Sequence, residues 1–201
     1  NVVAYIGTYN SGAAKVSMPK TNAAGLLQVS PGNTFPGLTK PGFGEANEPL
    51  AYRPSGRINY FRMCPTDDLQ GPANAKIAKE LGAKSIYILH DRETYGQGIA
   101  EILRKTAIEM GITVLGFEGI DSKASNYKAL ATKIRILDAE AVFFGGMTQS
   151  GGGQLVKDLR YSGYKNYILL PDGCFEPAFI GAAGINNINK TFYLYLVGGN
   201  F

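Results

Sequence analysis

From about Asp68 onward, apolar positions recur every three or four residues, then in short continuous runs, and the two patterns alternate to the end of the chain. Leu69, Ala73, Ile77, Ala78 and Leu81 mark one face of a helix that Gly82 ends, and Ser85 to His90 then reads as a buried strand. Ile99, Ile102, Leu103 and Met110 give the next helix its stripe. Strands are expected at Thr113 to Phe117, Ala141 to Phe144, Tyr167 to Leu170 and Thr191 to Leu196, and helices at Asn126 to Leu137, Gln154 to Tyr161 and Pro177 to Ala183. Strands this apolar, separated by helices, imply an α/β fold: a doubly wound parallel sheet covered on both faces.

The first part of the chain has a different texture. Val2 to Gly7 and Leu26 to Ser30 read as strands around a weakly periodic helical stretch. Pro31 to Ile58 then carries five prolines and five glycines with little periodicity, which predicts a surface excursion or a passage between domains. We therefore divide the chain into a partial first lobe (1–58), a crossover (59–68) and a nearly complete second lobe (69–201).

Composition narrows the class without naming it. With 201 residues and 45% hydrophobic content the chain can bury a sizeable core. Its net charge of +4 is spread among acids, as at Lys76, Lys79 and Lys84, rather than clustered, which argues against nucleic acid. No apolar run approaches the ~20 residues that span a bilayer, and no leader pattern opens the chain. The strand-like stretches at both ends lead us to expect that sequence is missing from each side.

The candidate chemistry is sparse. Gly145 to Gly153 lies between a strand and a helix, where backbone amides can receive an anion, but it lacks a Gly-Lys-Ser/Thr element; ligand contact and a plain turn stand equal. Gly96-Gln97-Gly98 begins like a dinucleotide fingerprint, yet Glu101 occupies the third glycine position. His90 is the single histidine and reads as packed, which excludes a metal site built on several imidazoles, and the incomplete glycine motifs leave no cofactor expected. Asp67, Asp68 and Asp121 read as caps or turn residues. Tyr95, just past a strand's carboxyl end, is on the side where open α/β sheets bind ligands, although taken alone it reads better as a surface tyrosine. Asp172, directly after an apolar strand, can hold an ammonium group or cap its loop. The two cysteines, Cys64 and Cys174, permit one disulfide or two buried thiols.

Several segments, taken in order, resemble the Leu/Ile/Val-binding protein family of type I periplasmic binding proteins. They are Ile6 to Ser11, Ser30 to Thr34, Tyr60 to Arg62 through Asp67, Gln70 and Gly71, then His90 to Gly98, Phe144 to Gly146 and Pro171 to Gly173. The resemblance covers nearly the whole chain. It implies two α/β lobes that close on an amino acid. Ser11 and Thr34 would offer hydroxyls to its carboxylate and ammonium, helped by backbone groups around Gly32. Asp172 would pair with the ammonium, Tyr95 would lie against the ligand, and Met147 and Tyr9 would line its side chain. Where the family often carries glutamate, Asp172 is one methylene shorter, and Met147 stands where an aromatic can occur. The resemblance also brings Cys64 and Cys174 toward the cleft, so a bridge between them becomes an expectation to test.

The function so implied is that of an exported, non-enzymatic receptor in the periplasm or at the cell surface. It would be peripheral to the membrane and would deliver an amino acid, branched-chain or otherwise apolar, to the permease subunits of an ABC transporter. The alternatives are a ligand-sensing regulator on the same fold and, further off, a doubly wound enzyme, since fold alone does not fix function.

Overall fold

The computed structural model describes residues 1–189 and 191–193, and these form two units, one spanning Asn1–Leu69 and the other running from Gln70 onward. The first contains β1 (Ala4–Ile6), α1 (Ser11–Ala23), β2 (Leu27–Ser30) and β3 (Tyr60–Arg62), with the strands parallel in the order β1-β2-β3. Residues 60–62, expected in a crossover, thus complete a sheet. The register sets Tyr5, Gln28 and Tyr60 in one row and Ile6, Val29 and Phe61 in the next. Because side chains alternate along a strand, adjacent rows face opposite ways. Gln28 and Tyr60 are buried, and Gln28 bonds to Ser17 and Thr21 of α1. On the other face Ile6 and Phe61 are 73% and 52% exposed.

The proline- and glycine-rich stretch is not the loose excursion its composition predicts. Short 3-10 turns form at Pro36–Leu38 and Leu50–Tyr52, and Phe35, Leu38 and Tyr52 join Ala14, Met18 and Tyr60 in a buried cluster. Lys15 of α1 pairs with Glu48 at 2.7 Å, while Asn22 donates to the Arg57 carbonyl and accepts from the Ser55 amide, both at 2.8 Å. Irregularly spaced anchors of this kind leave no periodic signal.

Helix α2 (Asp67–Glu80) leads into the second unit, followed by β4 (Ser85–His90), α3 (Thr94–Glu109), β5 (Thr113–Gly119) and α4 (Lys128–Ile136). Next come β6 (Ala141–Gly145), α5 (Gly152–Tyr161), β7 (Tyr167–Leu170), α6 (Pro177–Ala183) and β8 (Thr191–Tyr193). The rest of the last expected strand, residues 194–196, lies outside the described residues. The sheet is wholly parallel, in the order β5-β4-β6-β7-β8.

Strict alternation divides its side chains between two cores. Ile86, Ile88, Phe143 and Leu169 pack with Ala75, Ile99 and Leu103 on one face. Tyr87, Leu89, Val142, Phe144, Ile168 and Leu170 pack with Ile134, Leu155, Leu159 and Phe179 on the other. This is the doubly wound arrangement that the sequence predicts. The chain leaves β4 toward β5 and then returns to the opposite side with β6, so the loops after β4 and β6 part at a switch point, the customary ligand position in such sheets.

Candidate ligand-binding site

In the second unit the loops after β4, β6 and β7 meet at Gly173. A Cβ there would lie 2.8 Å from the Gly146 carbonyl, 2.9 Å from the Tyr95 ring and 3.0 Å from Met147 Cγ, so only glycine lets the three loops close. Tyr95, Met147 and Asp172, separate in sequence, are thereby brought together. Tyr95 is buried, and its hydroxyl donates to Asp172 Oδ1 at 2.5 Å while accepting from the Gly173 amide at 3.2 Å. Gln70 donates through Nε2 to the same Oδ1 at 3.0 Å, and its Oε1 accepts from the Asp172 amide at 2.7 Å. Among the described residues nothing donates to Asp172 Oδ2. A half-buried carboxylate with one oxygen saturated and one open suits a cationic group.

The glycine-rich loops have a steric explanation. A Cβ on Gly145 would fall 2.2 Å from the Gly96 carbonyl, and one on Gly96 would fall 2.4 Å from the Gly145 carbonyl, so the start of α3 crosses the end of β6 backbone to backbone. A Cβ on Gly153 would fall 2.4 Å from the Ala182 side chain and 3.1 Å from its backbone carbon, so α5 and α6 pack closely there. These positions serve packing, which accounts for the glycines without an anion.

His90 is buried, its Nδ1 accepts from the Arg92 amide at 3.1 Å, and its ring lies 5.1 Å from that of Phe117. Burial lowers its pKa, as a packed neutral imidazole requires. The neighbouring Asp91 is also buried. Its Oδ1 accepts from the Glu93 amide at 3.0 Å, whereas Oδ2 has no partner among the described residues. Burial raises its pKa. The adjacent Ser150 hydroxyl, which tempers that rise, donates to the Met147 carbonyl. Among the described residues, no group of three or more His, Cys, Asp or Glu side chains could hold a metal ion.

In the first unit Tyr9, Ser11, Gly32 and Thr34 stand on the loops and helix start that follow β1 and β2. The Tyr9 ring covers Gly32, where a Cβ would approach it to 3.0 Å. Ser11 is buried in the first turn of α1, and its Oγ accepts from the Phe35 amide at 3.3 Å. Thr34 is also buried. Its hydroxyl donates to Asp67 Oδ2 at 3.1 Å, and its carbonyl accepts from the Asp67 amide at 2.9 Å, so its proton is committed and its oxygen remains an acceptor.

Two residues in the resembling segments hold these loops, although no role was read for them in the sequence. Asn33, fully buried, donates to the Tyr9 carbonyl at 2.7 Å and accepts from Tyr60 at 2.9 Å. Ser30 donates to the Thr8 carbonyl at 2.7 Å and accepts from the Gly32 and Asn33 amides. Gln70 holds Asp172 in a comparable way. A signal for it existed: Gln70 and Asn74 fall at the spacing of Ile77, Ala78 and Leu81, which places polar residues on an apolar helix face.

The expected bridge between Cys64 and Cys174 is not present, and both residues are thiols. Cys174 is fully buried, and its sulfur points inward to the Gly146 carbonyl at 3.6 Å and packs against Gly152. Burial pushes this thiol up, away from the reactive thiolate. Cys64 donates to the Asn33 carbonyl at 3.4 Å within its own unit.

The chain is 31% identical over 183 residues to an amino acid binding protein of Pseudomonas aeruginosa, covering 90% of this chain and 45% of that one. It is 29% identical over 190 residues to Leu/Ile/Val-binding protein homolog 1 of Brucella abortus, covering 93% and 47%. The chain thus spans about half the length of the curated relatives it matches. The leucine binding protein LivK of Thermotoga maritima superposes with a TM-score of 0.77 at 25% identity, over 91% of this chain and 48% of that one. The LivJ substrate binding protein of Streptococcus pneumoniae, solved with isoleucine, shares the fold at a TM-score of 0.79 and 22% identity, over 94% of this chain and 50% of that one. The family model described as periplasmic binding protein matches residues 1–195, and the chain belongs to that family.

Proposed function

We propose that the full-length protein is an exported, non-enzymatic receptor that captures an amino acid and passes it to the permease subunits of an ABC transporter. The observation that carries this reading is Asp172, held by Tyr95 and Gln70 with one carboxylate oxygen left open at the carboxyl end of a sheet. The first unit, taken by itself, carries groups that suit an amino acid's carboxylate and ammonium. The Ser11 hydroxyl, which accepts from Phe35 and retains its own proton to donate, stands with the amides of the first turn of α1, where the helix dipole favours a carboxylate. Thr34 Oγ1, whose proton goes to Asp67, is left to accept from an ammonium group. Tyr9 and Met147 would line the ligand's side chain. The names of the relatives, which include leucine, isoleucine, valine, threonine and alanine binding, support an α-amino acid as ligand.

Calorimetry of the full-length protein against a panel of amino acids tests this reading. Asp172→Ala is expected to cost about 2 to 5 kcal/mol of affinity, because a desolvated charge pair loses one member. Unchanged affinity in that variant would remove the ammonium assignment.

A further inference from the structure

We infer that Gln70 is a positioning residue of the ligand site, which holds the Asp172 carboxylate so that a single oxygen faces the ligand's ammonium group; this rests on the amino-acid reading above. Gln70 is 1% exposed and touches Asp172 twice across a sequence separation of 102 residues, donating to Oδ1 at 3.0 Å and accepting from the backbone amide at 2.7 Å. A side chain bonded to only one of these groups could swing with the loop. One bonded to both fixes the loop backbone and the carboxylate together.

Gln70 is itself held firmly. Its carbonyl accepts from Asn74 at 3.2 Å one turn along α2. At the next residue a Cβ on Gly71 would fall 2.7 Å from Ile102 and 3.2 Å from the Leu103 amide, so α2 presses against α3 at this point. The rigid α2–α3 contact is therefore transmitted to Asp172 through one amide side chain. Tyr95, from α3, supplies the second donor to Oδ1. With that oxygen occupied twice, rotation of the short aspartate is blocked and Oδ2 is the acceptor that remains. A carboxylate one methylene shorter than glutamate has less reach, so its aim matters more.

The test compares an amino acid with its α-hydroxy analogue, which keeps the carboxylate and side chain but lacks the ammonium. A panel of the proteinogenic amino acids is first titrated into the full-length wild-type protein, and the tightest binder is paired with its α-hydroxy analogue. Gln70→Met keeps the volume and removes both hydrogen bonds. It is expected to weaken the amino acid about 10- to 100-fold, the range for hydrogen bonds to a charged group, and to change the already weak hydroxy acid less than about threefold. Gln70→Glu keeps the acceptor for the Asp172 amide but sets a like charge against Oδ1, and is expected to lose more.

In an Asp172→Asn background, Gln70→Met should add almost nothing, since there is no charge left to aim. A purely structural Gln70 would weaken both ligands alike and cost the same in either background, and that result overturns the inference while leaving the amino-acid reading in place. Unchanged affinity in both Gln70 variants overturns it too. Failure of the wild type to bind any member of the panel overturns the amino-acid reading and this inference together.

Discussion

The two units solve the problem of a parallel sheet in different ways. In the second, helices cover both faces, and the strands read as continuous apolar runs whose alternate residues enter two separate cores. In the first, α1 covers one face, the buried cluster among the described residues has six members, and polar side chains do much of the ordering. Gln28, Ser30 and Asn33 are each fully buried and hydrogen-bonded. The opposite face leaves Ile6, Leu27 and Phe61 exposed. Burial holds one unit, and directional bonds organise the other.

The largest effect should therefore come from the second unit. Phe143→Ala removes a fully buried ring from one of its cores and is expected to cost about 3 to 5 kcal/mol, read by denaturant unfolding and by hydrogen exchange within that unit. A cost below about 1 kcal/mol would show that this core is not close-packed.

Next comes Asn33→Ala in the first unit, which removes a donor to the Tyr9 carbonyl and an acceptor of the buried Tyr60 hydroxyl. Leaving buried polar groups unpaired costs about 1 to 3 kcal/mol, so exchange should accelerate in residues 1–69 and not in the second unit. Equal acceleration in both would break the comparison.

A smaller effect, set by pH, is expected at Asp91. Burial raises its folded pKa, so the folded state favours the protonated form, whose stabilising contribution is complete below the unfolded value near 4 and is lost as pH rises through the folded pKa. Asp91→Asn keeps an acceptor for the Glu93 amide. It should gain stability relative to wild type from acid toward neutral pH, with the difference vanishing near pH 3 in parallel melts. A constant difference across that range would mean that the buried carboxyl does not titrate as described.

The smallest effect belongs to the exposed face. Phe61→Ser should shift the stability of this chain by no more than about 0.5 kcal/mol, because the ring is already half in water.

The same contrast explains what could be read in advance. The strands Ser85–His90 and Tyr167–Leu170 and the helix Pro177–Ala183 occur at the residues that periodicity and punctuation predict. They lie where burial alone selects the pattern. The stretch from Pro31 to Ile58 looked structureless because Lys15, Asn22 and Phe35 tie it down one residue at a time, and single anchors have no period. Asp172 stood out as a carboxylate after an apolar strand, whereas Gln70, 102 residues away, had nothing local to mark it beyond a polar side chain on an apolar helix face.

By itself the sequence determined the alternation of helix and strand, the parallel sheet and the family, since these follow from local periodicity and from motifs kept in order. Only the tertiary structure decided that Gly145 and Gly96 serve a backbone crossing, that the Cys174 thiol is buried against the Gly146 carbonyl, and that Asp172 keeps one oxygen open. Each of these depends on a distance between residues far apart in the chain, and such distances are set by packing rather than by neighbours in sequence.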